Sequence, residues 1–180
     1  QVAELVLRPE AEQLPLDLRV GAGLRMLGWA AQCNHFELGA QIADTLEAHG
    51  TVSREESRRR TDELLDLVDI DRRNAAAYPH MLSGGMRQRV VMAIALALKP
   101  RLVIMDEPTT ALDVVVQKEI LQRVMKLEAE LGFSILFISH DLPLMLAFAD
   151  RVGILYKRKL VDVAAPGELE LPERDPYTRK

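Results

Sequence analysis

Leu102-Val103-Ile104-Met105-Asp106-Glu107-Pro108 decides the architecture. Four apolar residues in a row, too short for a helix, read as a strand buried on both faces, with a carboxylate at its tip. Two similar runs follow: Ser134 to Ile138 (SILFI) and Val152 to Tyr156 (VGILY). Helices are expected between them. One runs from about Ser83 to Leu98 and ends before Pro100, another covers 114–131 with Leu131-Gly132 as its stop, and a short one covers 142–149. Buried strands alternating with helices predict an α/β fold built on a parallel sheet covered on both faces. Ligands then sit at the carboxyl ends of the strands. Asp106-Glu107 follows one strand and Ser139-His140 the next, so two polar clusters share one sheet edge.

Upstream the pattern differs. Residues 1–32 are irregular, with turns at Pro9 and Pro15 and glycines at 21, 23 and 28; Val2 to Leu7 can form one short strand. Residues 38–80 read as helical. Ser53 with Glu56 has the form of a capping box, and Leu64, Leu65, Leu67 and Val68 make an apolar stripe at helical spacing. Arg58, Arg59 and Arg60 read as a solvated face supported by Glu55→Arg59 and Glu56→Arg60 pairs.

Composition sets the outer bounds. In 180 residues, 48% are hydrophobic and 28% charged, which excludes a disordered chain. Lysine plus arginine number 23 against 27 acidic residues, a net charge of −4, so no overall basic field draws the chain to nucleic acid. A single cysteine, Cys33, excludes an internal disulfide framework. The longest apolar run, Val90 to Leu98, has nine residues where a membrane-spanning helix needs about 20. The first residues carry no basic flank ahead of an apolar run, so no signal peptide is visible. The chain opens on Gln1 and is expected to be a fragment or a processed form.

Three stretches carry chemistry. In Leu82-Ser83-Gly84-Gly85-Met86-Arg87-Gln88-Arg89, Ser83 can cap the next helix, while two glycines strip bulk from its first N–H groups, an arrangement that admits an anion such as phosphate. An ordinary capped helix is the competing reading. Asp106, at the tip of a buried strand, needs a partner or a cation, and Mg²⁺ favours carboxylate and phosphate oxygens. Glu107 beside it can orient or deprotonate a water aimed at a phosphoryl group. In Phe137-Ile138-Ser139-His140-Asp141, the histidine can meet both a terminal phosphate and that carboxylate. His35, His49 and His80 have no such setting.

In this order, LSGGMRQR, VIMDEPTTALD and ISHDL resemble the ATP-binding cassette (ABC) ATPases over roughly residues 38–180. The resemblance implies an ABC-type P-loop NTPase sheet with a helical subdomain. Residues 1–37 would be a remnant of the N-terminal core, 38–88 a helical subdomain ending in the signature, and 89–180 the catalytic core. Leu82 to Gln88 would be the signature, Val103 to Glu107 the Walker B strand, Ala111-Leu112-Asp113 the D-loop and His140 the switch histidine. The family then implies that Asp106 holds Mg²⁺ through water and that Glu107 is the catalytic base. Ser83, Gly84 and Gly85, with Gln88 and Asp113, would serve ATP on the opposite subunit. Tyr78-Pro79-His80, Thr109 to Val114 and Pro176-Tyr177-Thr178-Arg179 look like the dipeptide, oligopeptide and nickel importer branch. That branch implies a second ATPase subunit, as homodimer or heterodimer, transmembrane permease subunits facing the helical stretch, and a place on the cytoplasmic face of the membrane. A carbon–phosphorus lyase-type component shares much of the pattern.

One expected part is missing from these residues. ATP binding of this kind needs G-x-x-x-x-G-K-[ST], yet none of the six lysines follows a glycine, and Trp29 and Ala30 stand where Gly23 and Gly28 would call for Lys and Ser or Thr. The P-loop fold is therefore expected to be incomplete. Each lost charge-assisted hydrogen bond removes about 1.5–3 kcal/mol, so isolated ATP binding should be poor. Gln32 is the candidate for the Q-loop glutamine. Two functional readings stay open: an ATP-binding importer subunit, and a non-hydrolytic assembly partner that docks through its signature face. An ATPase of DNA maintenance is disfavoured by the lack of a long heptad segment or a basic stripe.

Overall fold

A computed structural model describes residues 36–49, 52–108 and 112–169, together with the backbone of Glu4–Val6. Gln32, Cys33, His35, Gly21, Gly23, Gly28, Trp29, Ala30, Thr109 to Ala111 and the 176–179 stretch lie outside the described residues. In chain order the elements are β1 (Glu4–Val6), α1 (Leu38–His49), α2 (Arg54–Leu67), α3 (Gly84–Leu96), β2 (Leu102–Asp106), α4 (Val114–Leu131), β3 (Ser134–Ser139), α5 (Leu142–Phe148), β4 (Val152–Tyr156) and β5 (Lys159–Ala164). Short 3₁₀ turns at Arg72–Ala76 and Pro79–Met81 lead into α3.

The five strands are ordered β2-β3-β1-β4-β5. β2 and β3 are parallel neighbours, with Asp106 opposite Ile138. β1 runs antiparallel to both β3 and β4, so β2, β3 and β4 share one direction, as the alternation of strands and helices predicts. β5 pairs antiparallel to β4 through a tight hairpin, with Lys157 and Arg158 both at positive φ. The sheet is thus mixed: its three parallel strands carry β1 between them and β5 at the edge.

Helix ends follow local chemistry. Ser53 Oγ accepts from the Glu56 amide at 3.2 Å and starts α2. Gly132, at φ 71, ends α4 with its amide donating to the Glu128 carbonyl, as the Leu131-Gly132 stop predicts. α3 is buried from Val90 to Ile94 and again at Leu96, which makes it a core helix rather than a surface one. A single apolar cluster runs from Leu38, Ile42 and Leu65 through Val90 and Ile94 to Val103, Leu127 and Phe137. The helical region and the β2–β3 part of the sheet therefore share one core, while Val152, Ile154, Ala164 and Leu169 form a second, smaller cluster on the β4–β5 side. Among the described residues, no helix is long and apolar enough to cross a membrane.

On α2 the charge register differs from expectation. Arg59 pairs with Glu56 at 2.7 Å and with Glu63 at 2.5 Å, in place of the Glu55→Arg59 and Glu56→Arg60 pairs. Arg59 sits between two carboxylates, each one turn away along the helix, a geometry that one guanidinium fork satisfies at once. Arg58 and Arg59 do lie on an exposed face, as expected.

A longer link ties α4 to the end of α2. Asp69 turns left-handed at φ 56 just past the helix. Arg123, on α4, donates through Nη2 to the Leu67 carbonyl and to Asp69 Oδ1, the latter at 3.0 Å. The Arg123 side chain is only 17% exposed but that of Asp69 is 55% exposed, so solvent screens the ion pair and the sheltered bond is the one to the Leu67 carbonyl. Arg123→Ala orphans the carbonyl and unties Asp69, and should cost about 1–3 kcal/mol in urea unfolding at unchanged m value. Arg123→Lys keeps the charge but not the planar Nη2 group aimed at both acceptors, and should recover only part of that loss.

Nearby, Asp71 accepts from the guanidinium and the amide of Arg73, and these bonds hold its carboxyl down at about 2. The contribution of this pair is complete above the ordinary value of 3.8 and is lost as pH falls through about 2. In an NMR titration, Arg73→Ala should return the Asp71 carboxyl towards its ordinary range.

Candidate functional site

The parallel register of β2 and β3 brings the two polar clusters together. Beyond Asp106 the chain adds one more rung, with the Glu107 amide donating to the Ile138 carbonyl at 2.8 Å. To make this bond and leave the strand, Glu107 adopts φ 49, a left-handed backbone in a non-glycine residue. Its Oε1 then lies 2.7 Å from His140 Nδ1, across 33 residues of chain. Glu107 is 29% exposed at its side chain and His140 75%, so the carboxylate is sheltered and the ring open to solvent. With Glu107 ionised, Nδ1 must carry the shared proton. Asp106 is half-buried at the same strand end.

His140 is held from behind by a short polar relay. Asp141 donates its amide to Ser139 Oγ at 3.1 Å, and its own carboxylate caps α5 by accepting from the Leu144 amide. The turn carrying the histidine is therefore pinned on both sides.

The second group of candidates lies at the starts of α3 and α4. Ser83 Oγ accepts from the Met86 amide at 3.2 Å, confirming its capping role. Asp113 Oδ1 accepts from the amides of Val115 and Val116 at 3.1 and 3.0 Å and caps α4. Ser83, Gly84, Gly85, Asp113 and Glu119 all line one cleft of about 550 Å³, with Arg87 and Arg89 on its wall. Gln88 is half-buried on α3 and does not line that cleft. The 2.7 Å contact joins Glu107 to His140, while the cleft joins Ser83, Gly84 and Gly85 to Asp113.

The glycines reveal what spacing alone could not. Neither Gly84 nor Gly85 has a left-handed φ, so neither is needed for backbone conformation. A Cβ on Gly84 would lie 2.9 Å from Leu112 Cδ2, and one on Gly85 2.9 Å from Val116 Cγ1. The bulk removed from this helix start is taken up by α4 and the loop before it. Leu112 and Val116 are thus part of the site, and only the place of Leu112 beside Asp113 hinted at it in the sequence.

No group of three or more His, Cys, Asp or Glu among the described residues could cage a metal by itself. Asp106 with Glu107 nearby suits an ion that takes most of its ligands from phosphate and water, which is the habit of Mg²⁺.

The chain is similar to the oligopeptide transport ATP-binding protein OppD of Bacillus subtilis, with 44% identity over 144 residues, which is 79% of this chain and 40% of that protein. It is similar to the glutathione import ATP-binding protein GsiA of Pectobacterium atrosepticum, with 43% identity over 146 residues, which is 80% of this chain and 23% of that one. The chain thus spans less than half the length of either relative. Among solved structures, it is similar to the ATP-binding cassette MJ0796 in a dimeric, post-hydrolysis state bound to ADP and Pi. There the TM-score is 0.62 and the identity 30%, covering 74% of this chain and 58% of that one. The ABC transporter family matches residues 21–110, half of the sequence and inclusive of Ser83, Asp106 and Glu107, and the chain belongs to that family.

Proposed function

We propose that this chain is part of an ATP-binding subunit of an ABC importer for peptide-like solutes, and that Glu107 and His140 act at the γ-phosphate of ATP. The observation that carries the reading is the 2.7 Å contact between Glu107 and His140 at the carboxyl ends of adjacent parallel strands. The peptide and glutathione transport named for its relatives supports the solute class. A second ATPase subunit, permease subunits and a place on the cytoplasmic face of the membrane complete the reading.

In this assignment Glu107 is the base that takes a proton from the attacking water. The His140 ring orients the carboxylate and, when doubly protonated, can donate from Nε2 to a phosphate oxygen. Asp106 would hold Mg²⁺ through water, and the ion supplies charge neutralisation of the phosphates when bound. Ser83, Gly84, Gly85 and Asp113, with Gln88 and Gln32 as further candidates, would serve the nucleotide of the facing subunit. None of the chain's six lysines lies in a phosphate-cradling loop, so these residues supply the reacting end of the site and not the triphosphate grip.

Two measurements test this. The 180-residue chain alone should bind Mg-ATP no better than about millimolar, since several charge-assisted bonds are missing; micromolar affinity would contradict the argument. Joining the phosphate-loop segment of a relative ahead of residue 36 should restore binding and hydrolysis. In that chimera Glu107→Gln should lower turnover about 10²- to 10⁴-fold with ATP binding retained. Turnover within a factor of ten of the parent would remove Glu107 from the role of base. Loss of hydrolysis on Ser83→Arg would separate this reading from a docking protein that never turns ATP over.

The strained backbone makes an independent prediction. A left-handed non-glycine residue costs about 1–2 kcal/mol, whereas glycine costs about 0.5–1 through chain entropy. Glu107→Gly should therefore leave thermal stability unchanged or slightly raised while abolishing hydrolysis in the chimera. A marked loss of stability would mean that the His140 contact, and not the reaction, keeps glutamate there.

A further inference from the structure

The start of α3 meets Leu112 and the first turn of α4 at two glycines, where a Cβ on either would lie 2.9 Å from a side-chain carbon. We infer that Val116, assisted by Leu112, is a positioning residue that fastens the Ser83-Gly84-Gly85 turn to Asp113, so that this turn and Asp113 move as one body. The functional meaning of that coupling rests on the proposed function above; the coupling itself does not.

Val116 is the joint. Its amide donates to Asp113 Oδ1 at 3.0 Å, while its Cγ1 stands 2.9 Å from where a Cβ on Gly85 would be. One residue therefore touches the aspartate through its backbone and the signature through its side chain. Val116 is β-branched and helical, which leaves it essentially one rotamer, so its methyl cannot swing aside. The matching contact of Gly84 is with Leu112 Cδ2, the far end of a flexible side chain that can rotate away. The pair thus has one stiff and one compliant member. Ser83 in turn holds the first turn of α3 by accepting from the Met86 amide, and the Arg87 amide donates to its carbonyl at 3.0 Å. A shift of α4 is passed to Ser83 through the stiff Val116 side chain and Gly85, which has no side chain of its own to absorb it.

The asymmetry separates this role from plain core packing. Gly85→Ala should lower the unfolding midpoint of the full chain by about 2–4 °C, and Gly84→Ala by less. Adding Val116→Ala to Gly85→Ala should bring the midpoint back to that of Val116→Ala alone. Simple addition of the two losses would overturn the inference.

Amide hydrogen exchange supplies the readout that general destabilisation would not mimic. Val116→Ala, a change on α4, should speed exchange of the Met86 and Arg87 amides on α3 about tenfold and leave amides of β3 unchanged. Val116→Thr keeps the branched shape and should restore protection. Unchanged exchange at Met86 and Arg87, or an equal rise in β3, would overturn the proposal. No nucleotide enters these measurements. An inactive chimera with coupled exchange would therefore sink the hydrolytic reading alone, and an active chimera with uncoupled exchange would sink the joint alone.

Discussion

The parallel pairing of β2 with β3 is the constraint on which the rest depends. Because Asp106 stands opposite Ile138, Glu107 leaves β2 level with Ser139, the last residue of β3, one residue before His140. Glu107 and His140 meet there without any dedicated loop. A slip of one residue would turn Val103 and Met105 out of the core and separate the carboxylate from the ring. Burial of Val103, Met105, Ile135 and Phe137 therefore fixes the polar contact as firmly as any hydrogen bond made by the polar groups themselves. The residues that do the chemistry are placed by residues that do none.

The same economy governs the helix starts. α3 is buried along most of its length and can move little within the shared core. Its amino end is the part left open to solvent, where Ser83 is exposed and the glycines half-exposed. Close approach of α4 converts that end from a frayed helix start into a defined surface, with the two caps, Ser83 and Asp113, held side by side around one cleft. On the far end of α2, Arg123 of the same α4 grips Leu67 and Asp69. α4 thus meets the helical region near its own start and again at Arg123.

Much of this was legible from residues alone, and the reasons are local. The end of α4 follows from a glycine stop, and the limits of β4 from a short apolar run between polar residues. α3 starts where Ser83 can cap it. The Glu107–His140 meeting follows from placing both residues just past strands expected to be parallel. What stayed hidden depends on distance or on room. Nothing near Arg123 in sequence announces Leu67 and Asp69, more than 50 residues away. β5 is half-exposed and alternates weakly, and its hairpin turns on Lys157-Arg158 instead of the Asn-Gly that would mark it. On α2 the charges allow several registers of similar energy, so their spacing could not choose among them.

The glycines show how one sequence signal can have two physical causes. Two glycines after a capping serine read as space made for an anion, and the cleft at that place is compatible with such a use. Yet α4 stands where their side chains would be. The two causes do not exclude each other, because a glycine presents its backbone N–H in one direction and its missing Cβ in another. If the N–H groups serve a phosphate on a facing subunit, the space behind them must be filled, since a turn backed by a void could tilt away from its ligand. Val116 and Leu112 fill it. Glycine at these positions then answers two demands at once, close approach of a ligand in front and of a helix behind, and an alanine that satisfied one would still fail the other.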